Sequence, residues 1–270
     1  MKLFLKILGA SYLLTTIILC AGRCSGNVSA KQAAPRQQQS VTASSVTGDA
    51  AVGRAAPIRV VSGDPGMIII GVAREFDVPS GAIYGIWMKE SFGLASGWGS
   101  GPGWLSAEDQ AGPGSECHAH YGAARCGRWW RALEVVCAQR RHDGSAVCDP
   151  RQVRTSYALA MGPTQILPTH LVKESADGSF AWTEYAVDLD GDGAVDPHSL
   201  PDALAVTAKL VRKYFDEERD WGRAVNRYYG SQTEGYFEGT SEVRGVADYW
   251  RQWCSVPGHC REEGGLLASN

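Results

Sequence analysis

Three aspartates at alternate positions stand in a short, glycine-rich segment of the chain: Asp188, Asp190 and Asp192. Alternate side chains of a tight loop point the same way, so these carboxylates can converge on one hard cation such as calcium. Gly193 stands where such a loop must turn sharply. Without a cation, so many carboxylates in one turn would repel one another. The segment therefore predicts a calcium-binding loop.

The aspartate segment follows the first half of an EF-hand loop and then departs from it. The seventh loop position is Ala194, but the twelfth is Ser199 where a bidentate Glu is usual, and the next carboxylate is Asp202. A solvated acidic turn without a metal is the alternative. The predicted Ca²⁺ ligands are Asp188, Asp190, Asp192, Ala194 and Asp202.

A second carboxylate, Glu90, has the setting of a general acid. Ile83, Ile86, Trp87 and Glu90 follow the i, i+3, i+4, i+7 pattern that forms one face of a helix. Apolar neighbours and the negative end of the helix dipole both raise the pKa of a carboxyl group. A proton held near neutral pH is what acid catalysis needs. The alternative is an exposed residue at a helix end.

The elements that must position these residues are mainly helices. Few segments favour strands, and no internal repeat is apparent, so we predict a mainly helical single domain. A Gly-, Pro- and Ser-rich loop is predicted over 94–115. Apolar periodicity and capping residues predict helices that begin at Asp64-Pro65 and that cover 80–91, 128–140, 201–215 and 243–253.

The N-terminus is typical of an exported protein. Lys2 and Lys6 precede an apolar run over 7–19, which predicts a signal peptide at 1–24. Residues 25–57 have almost no large apolar side chains and are predicted to be a flexible linker. An uncleaved signal, or a lipid on Cys20, would attach the protein to a membrane.

The charge of the chain excludes a basic nucleic-acid footprint. The formal net charge is −3, and removal of the three basic residues in 1–24, where there are no acids, gives −3 − 3 = −6. We therefore expect no nucleic-acid partner.

Six cysteines follow the signal region: Cys117, Cys126, Cys137, Cys148, Cys254 and Cys260. An even number in an exported chain favours disulfides, and proximity in sequence favours the pairs 117–126, 137–148 and 254–260, although six cysteines allow about 15 pairings. A zinc site built from Cys117, His118, His120 and Cys126 is the alternative.

Three ordered segments resemble one enzyme family. Phe76-Asp-Val-Pro-Ser with Ile83-Tyr-Gly-Ile-Trp-Met-Lys-Glu90-Ser-Phe-Gly93 is similar to the catalytic-glutamate segment of lytic transglycosylases, most closely the membrane-bound lytic murein transglycosylase B family. Ser156-Tyr-Ala-Leu-Ala-Met-Gly-Pro-Thr-Gln165 and the aspartate segment resemble two further segments of that family. Together they span Gly63 to Trp253.

The resemblance implies a lysozyme-like α+β domain that cuts the glycan strand of peptidoglycan. Its predicted extent is 58–256, with a cysteine-containing insertion at 94–155, a calcium loop at 185–202 and a tail at 257–270. Glu90 would protonate the oxygen of the MurNAc–GlcNAc bond. It would then take a proton from the muramyl C6 hydroxyl as a 1,6-anhydro ring closes, with no second catalytic carboxylate.

The resemblance also implies residues that contact the substrate. Ser156 and Gln165 match positions that contact the sugar and the catalytic Glu. Met161 matches a residue beside the sugar, although core packing is its alternative role. The family's Arg-Tyr-Asn segment reads Arg227-Tyr228-Tyr229 here, so its Asn is lost, and Asn226 is a candidate substitute. The implied substrate-binding residues are Ser156, Met161, Gln165, Tyr228 and Tyr236.

Four tryptophans could stack on sugars or be buried in the core: Trp98, Trp104, Trp129 and Trp130.

Two other functions stay open: a lysozyme-type hydrolase that uses water, and a glycan-binding or envelope-assembly module without catalysis. The predicted protein is a monomer that acts on peptidoglycan in the periplasm or elsewhere in the cell envelope.

Overall fold

The structure, a computed structural model, describes residues 63–94, 105–230 and 235–260. All of them belong to one compact unit. The predicted signal peptide, the linker, Trp98 and Trp104 lie outside the described residues.

Helices dominate the described ranges, and four short strands form two antiparallel pairs, β1 with β2 and β3 with β4. The helices are α1 (Pro65–Glu75), α2 (Ser80–Ser91), α3 (Ala107–Ala111), α4 (Glu116–Tyr121), α5 (Ala123–Cys137), α6 (Pro168–Leu171), α7 (Leu200–Glu218), α8 (Trp221–Tyr228), α9 (Gly235–Glu238) and α10 (Val246–Cys254). The strands are β1 (Leu105–Ser106), β2 (Arg154–Thr155), β3 (Val172–Glu174) and β4 (Phe180–Trp182). The prediction of a mainly helical fold is confirmed.

The first two helices begin where the sequence predicts. Asp64 caps α1, and its carboxylate accepts a hydrogen bond from the backbone N–H of Gly66 at 3.0 Å. Helix α2 covers the predicted 80–91 and ends at Phe92, whose φ of 53° is left-handed. Glu90 therefore lies in the last turn of α2.

The prediction of a continuous loop over 94–115 is wrong in its second half. Residues 107–111 form helix α3, and the Ser106 hydroxyl caps it by accepting from the Asp109 N–H at 3.2 Å. The cap and two acidic residues in the first turn favour a helix locally. The surrounding glycines and prolines obscure that signal in the sequence.

Three other helices exist as predicted but with shifted ends. Helix ends are the part that periodicity determines least. The segments predicted at 128–140, 201–215 and 243–253 cover 123–137, 200–218 and 246–254 in the structure.

Helix α7 is the centre of the packing. Leu210 contributes to the cluster formed with α5 and the β3–β4 hairpin, and Leu204 to the cluster formed with α1 and α2. Val211 contributes to a third cluster with α8, α9 and α10. One buried helix thus connects every part of the domain that carries a predicted site residue.

Two glycines let α10 lie directly against α2. A Cβ on Gly81 would collide with the Trp250 ring, and a Cβ on Gly85 would collide with Val246. The Trp253 indole also donates a hydrogen bond to the Ser80 hydroxyl at 2.9 Å. The helix that carries Glu90 is therefore held mainly by a helix near the other end of the domain.

The six cysteines form three disulfides between sequence neighbours: Cys117–Cys126, Cys137–Cys148 and Cys254–Cys260. Because Cys117 and Cys126 are bonded, the alternative zinc site has no thiolate ligands. The third disulfide also shows that residues 257–260, predicted as tail, belong to the domain. The rest of the predicted tail lies outside the described residues.

Among the residues that the structure describes, no helix combines the length and apolar character required to cross a membrane.

Candidate active site

Glu90 lies where helix α2 meets the surface of the domain. It is partly exposed, while Ile83 and Ile86 are fully buried in the core and Trp87 nearly so. Dense surrounding protein desolvates the carboxyl group and raises the pKa of Glu90 to about 7. Glu90 is thus accessible and holds a proton near neutral pH, which is the combination that a general acid needs.

Tyr236 contacts the Glu90 carboxyl directly. Its hydroxyl donates a hydrogen bond to Glu90 Oε1 at 2.6 Å, and its ring is 5% exposed. Desolvation is the largest effect on the pKa of Glu90, and the Tyr236 hydrogen bond and the Lys89 charge both oppose it. Lys89 itself is directed to the Arg244 carbonyl, 2.6 Å from its Nζ. Tyr236 therefore orients the acid without taking over its proton.

Asn226 holds the short helix that carries Tyr236. Its side-chain Oδ1 accepts a hydrogen bond from the Phe237 N–H at 2.8 Å, and Asn226 is 7% exposed. The sequence names Asn226 only as a candidate substitute for the family Asn, and the structure gives it this position. The residue thus supports the short helix α9 next to Tyr236. The only sequence signal for it is a polar residue on the apolar side of α8, next to Val225.

Tyr228 connects α8 to the segment that follows β2. Its hydroxyl donates to the Thr164 carbonyl at 2.6 Å and lies 3.3 Å from the Thr207 hydroxyl. Burial is the main cause that raises the pKa of Tyr228, and the negative charge of Glu90 adds to the increase. Tyr228 is therefore close to Glu90, although its hydrogen bonds are structural.

Ser156 and Gln165 close the loop between them. The Ser156 hydroxyl accepts from the Ala160 N–H at 3.2 Å, and the Gln165 side chain donates to the Gly162 carbonyl at 2.9 Å. Met161 is fully buried in the core, which favours its alternative role in packing. The roles of Ser156 and Gln165 toward a substrate stay predictions.

Tyr229, which replaces the family Asn, takes a position of its own. It is 58% exposed and stacks on the Tyr236 ring, with centroids 4.5 Å apart and planes 7° apart. After desolvation and the nearby Tyr157, the Glu90 charge also raises the pKa of Tyr229. The departure from the family pattern thus adds an exposed aromatic face beside the acid.

The aspartate loop brings three of its predicted ligands together. Oxygens of Asp188, Asp190 and Asp202 lie within 4.8 Å of one another. The Asp202 carboxylate also accepts from the backbone N–H of Leu189 at 2.7 Å and of Asp196 at 2.9 Å. Carboxylate oxygens grouped in this way are the donors that calcium prefers.

Asp192 has a different partner. Its Oδ2 is 2.9 Å from Arg141 Nε, and the same guanidinium bonds Asp196 at 2.5 Å. Ala194 is buried, and its N–H donates to Asp192 Oδ1 at 2.9 Å. Arg141 thus supplies part of the positive charge that the sequence analysis expects from a bound cation.

The Cys137–Cys148 segment holds the aspartate loop from outside. The Gln139 side chain donates to the Val195 carbonyl at 2.8 Å and accepts from the Val195 N–H at 2.9 Å. The His142 N–H donates to the Asp192 carbonyl at 2.7 Å. A side chain on Gly193 would collide with the His142 ring. This part of the predicted insertion therefore shapes the loop.

The charge on Asp202 is poorly accommodated by the protein groups around it. Burial first, and then the Asp190 charge, raise the pKa of Asp202 to about 8 against the effect of three backbone hydrogen bonds. A cation among these oxygens would remove that conflict. The residues present therefore fit a calcium ion.

Trp129 and Trp130 are partly buried against the α5 core cluster. The Trp129 ring meets Tyr121 edge-on, with centroids 4.8 Å apart. Each tryptophan packs on one side only, so each can contribute to the core and also present a surface for stacking on a sugar.

Comparison with known proteins gives a family match to most of the second half of the chain. Residues 130–259 match the sequence profile of a family described as the transglycosylase SLT domain. The match begins within the predicted insertion, so residues 130–155 of that insertion lie in the matched range. A search of the curated proteins finds no significant match to the chain.

Two solved structures have limited likeness to the chain. The Escherichia coli lytic transglycosylase Slt35, in complex with bulgecin A, is 18% identical over 57% of this chain and 45% of that chain, with a TM-score of 0.36. A 36 kDa muramidase/transglycosylase is 19% identical over 57% of this chain and 46% of that chain, with a TM-score of 0.35. The chain thus spans less than half of each.

The matched range includes Tyr236, whose hydroxyl binds the Glu90 carboxyl, and the loop between Ser156 and Gln165. The resemblance of the sequence motifs to lytic transglycosylases is confirmed at the level of the transglycosylase SLT domain. Residues 130–259 match the transglycosylase SLT domain, and this match supports an enzyme that acts on peptidoglycan.

Proposed function

We propose that the protein is a lytic transglycosylase that cuts the β-1,4 bond between MurNAc and GlcNAc in peptidoglycan. The observation that carries the proposal is the Glu90 carboxyl, with a pKa raised to about 7 and a hydrogen bond from Tyr236 of the matched domain. Glu90 itself precedes the matched residues, so this hydrogen bond is what connects the acid to them.

The reaction uses one carboxyl group twice. Protonated Glu90 donates its proton to the glycosidic oxygen, the bond from that oxygen to the muramyl C1 breaks, and GlcNAc leaves with a free O4 hydroxyl. The carboxylate of Glu90 then removes the proton of the muramyl C6 hydroxyl while O6 bonds to C1. The 1,6-anhydro ring closes, Glu90 is protonated again, and no water is consumed.

No second acid is required in this scheme, which differs from a two-carboxylate glycosidase. The 2-acetamido group of the substrate supports the positive charge that develops at C1. Glu90 needs a pKa near the working pH because it acts first as acid and then as base. The aspartates of the loop have no catalytic part.

Product analysis tests the proposal. Purified protein would digest peptidoglycan, and mass spectrometry would identify the new muramyl ends. We expect 1,6-anhydromuramyl ends. Reducing ends would show instead a lysozyme-type hydrolase that uses water. If the folded protein with Glu90 intact forms neither product, a glycan-binding or assembly module would be favoured.

The loop proposal concerns stability rather than chemistry. We propose that Ca²⁺ binds Asp188, Asp190 and Asp202 and fixes the loop. Asp192 contributes indirectly, through Arg141. A Cβ on Gly162 would collide with the Pro197 carbonyl, so the loop and the Ser156–Gln165 segment are in direct contact. A bound cation would thus stiffen one wall of the site.

The cellular setting follows from the substrate. A protein that cuts peptidoglycan acts in the cell envelope, so we propose an exported, periplasmic or membrane-attached enzyme. Closer membership in the membrane-bound lytic murein transglycosylase B family, cleavage of the signal, lipidation of Cys20 and a monomeric state remain predictions from the sequence.

A further inference from the structure

Helix α4 is a part of the molecule that the proposed reaction does not use. It lies before the matched residues and ends in His120 and Tyr121. The Cys117–Cys126 disulfide fixes it to α5. A stapled helix of six residues that adds little to the core is expected to have another role.

Tyr121 of α4 meets Tyr157 of the matched domain. The two rings are nearly parallel, with planes 9° apart and centroids 6.0 Å apart. Trp129 supports the Tyr121 ring edge-on, and His120 lies 5.2 Å from the Tyr157 ring. The geometry of both tyrosines is therefore set by neighbouring rings.

The aromatic contacts continue from Tyr157 toward Glu90. Tyr229 directly follows Tyr228, whose hydroxyl donates to the Thr164 carbonyl in the segment that carries Tyr157. After desolvation, the Tyr157 phenol also helps to raise the pKa of Tyr229. Tyr229 stacks on Tyr236, and Tyr236 binds Glu90. We call Tyr236, Tyr229, Tyr157 and Tyr121 the tyrosine row. It leads from the acid outward to the stapled helix.

The outer part of the tyrosine row is open to solvent. Tyr229 is 58% exposed and Tyr157 is 40% exposed, in a domain that buries most of its large apolar side chains. Exposed aromatic groups that form a continuous patch mark binding surfaces. Tyrosine combines an apolar face with a hydrogen-bonding hydroxyl, so it suits a ligand with both apolar C–H faces and hydroxyl groups.

We propose that α4 extends the glycan-binding groove, and that Tyr121 and Tyr157 form a sugar subsite beyond Tyr229. The occupant is a β-1,4-linked, N-acetylated glycan strand, because the row begins at Tyr236, which binds the acid that would cut such a strand. The subsite rests on the proposed function for the identity of its ligand. Its existence depends on binding and can be measured without any cleavage.

The test measures binding in a Glu90→Gln background, which removes turnover. The probes are N-acetylglucosamine oligomers, a dimer and a hexamer, titrated by calorimetry. Tyr157→Ala and Tyr121→Ala should each weaken hexamer binding by roughly fivefold to tenfold, from the loss of one aromatic contact. Dimer binding should change less, because a dimer does not need an outer subsite.

Two matched variants separate stacking from folding. Tyr157→Phe keeps the ring and should retain hexamer affinity within about twofold. Met67→Ala removes an exposed apolar side chain of α1 and should leave hexamer affinity unchanged. Unaltered thermal unfolding of Tyr157→Ala would show that its lost affinity is not lost structure.

Equal hexamer affinity for the Glu90→Gln parent and both alanine variants would overturn the subsite. So would failure of the Glu90→Gln parent to bind the hexamer. If wild-type protein forms 1,6-anhydro ends but the alanine variants bind normally, the subsite fails alone. If no cleavage occurs but Tyr157→Ala and Tyr121→Ala weaken hexamer binding, the subsite stands and the proposed reaction fails.

Discussion

Glu90 and Asp202 are two carboxyl groups in one domain whose pKa values are both raised, to about 7 and about 8. Desolvation is the largest cause in each case. Their surroundings differ in every other respect. Glu90 is partly exposed and accepts a hydrogen bond from a tyrosine hydroxyl, whereas Asp202 is fully buried and accepts three from backbone N–H groups.

This difference shows that a raised pKa alone does not identify a catalytic acid. A proton on Glu90 can reach a substrate, because the side chain lies at the surface beside the tyrosine row. Asp202 is fully buried, and both of its oxygens accept backbone hydrogen bonds that close the loop. The first arrangement serves proton transfer, and the second holds a backbone shape that a cation can stabilise further.

The largest expected effect is a contrast in activity between two isosteric changes. Glu90→Gln should lower kcat by about 10³-fold, because it removes the general acid. Asp202→Asn should leave kcat within about threefold in the folded protein, because it removes no catalytic group. Release of soluble muropeptides from peptidoglycan measures both. Glu75→Gln, at an exposed site, is the control, and comparable losses for Glu90→Gln and Asp202→Asn would abolish the distinction.

The second effect is on stability and should belong to the loop alone. A Ca²⁺ concentration of about 100 times Kd should stabilise the wild type by about 2.7 kcal/mol. That corresponds to a rise in Tm of roughly 5–10 °C for a domain of this size. Thermal unfolding with Ca²⁺ and with EDTA measures it. Asp202→Asn should lose most of the rise and Glu90→Gln should keep it, whereas a wild-type Tm indifferent to Ca²⁺ would contradict the metal proposal.

The third effect is a gain in the stability of the fold when Glu90 is replaced by glutamine. Its folded pKa of about 7 exceeds the ordinary value of 4.5, so the fold prefers the neutral acid. The stability from this preference is complete below the unfolded pKa and is lost as the pH rises through about 7. At pH 8 Glu90→Gln should therefore be more stable than wild type by about 3 kcal/mol. Urea unfolding at pH 4 and pH 8 tests this, and the two proteins should converge at pH 4.

The smallest effect is on the pH profile of the reaction. The value of kcat/KM should fall about tenfold per pH unit above pH 7, as the acid loses its proton. Tyr236→Phe removes a hydrogen bond that lowers the pKa of Glu90, so its falling limb should move upward by less than about one pH unit. A profile unmoved by Tyr236→Phe, with kcat also unchanged, would remove Tyr236 from the site.

The sequence predicts well what local pattern controls. The bounds of α2, the position of Glu90 within it and the pairing of neighbouring cysteines all depend on residues close together in the chain. Contacts between distant residues are not predicted. No local pattern announces that Arg141 will pair with Asp192, or that Asn226 will hold the backbone of Phe237.

The short helices show a related limit. Helix α3 depends on one serine cap within a Gly- and Pro-rich region, where a period of 3.6 residues has no room to develop. The burial of Met161 has the same origin, because its environment is set by α7 and the β3–β4 hairpin rather than by its own segment. Family resemblance locates such residues without stating what they contact.

The dependence of α2 on α10 has a consequence for when the protein becomes active. Ser80 and Trp253, which hydrogen-bond across the two helices, are 173 residues apart in the chain. A growing chain presents α2 early and α10 late, and contacts so distant in sequence form slowly. The acid is therefore assembled only after nearly the whole domain has been made and has collapsed. A chain that has not yet folded therefore lacks the arrangement of Glu90 that the proposed reaction requires.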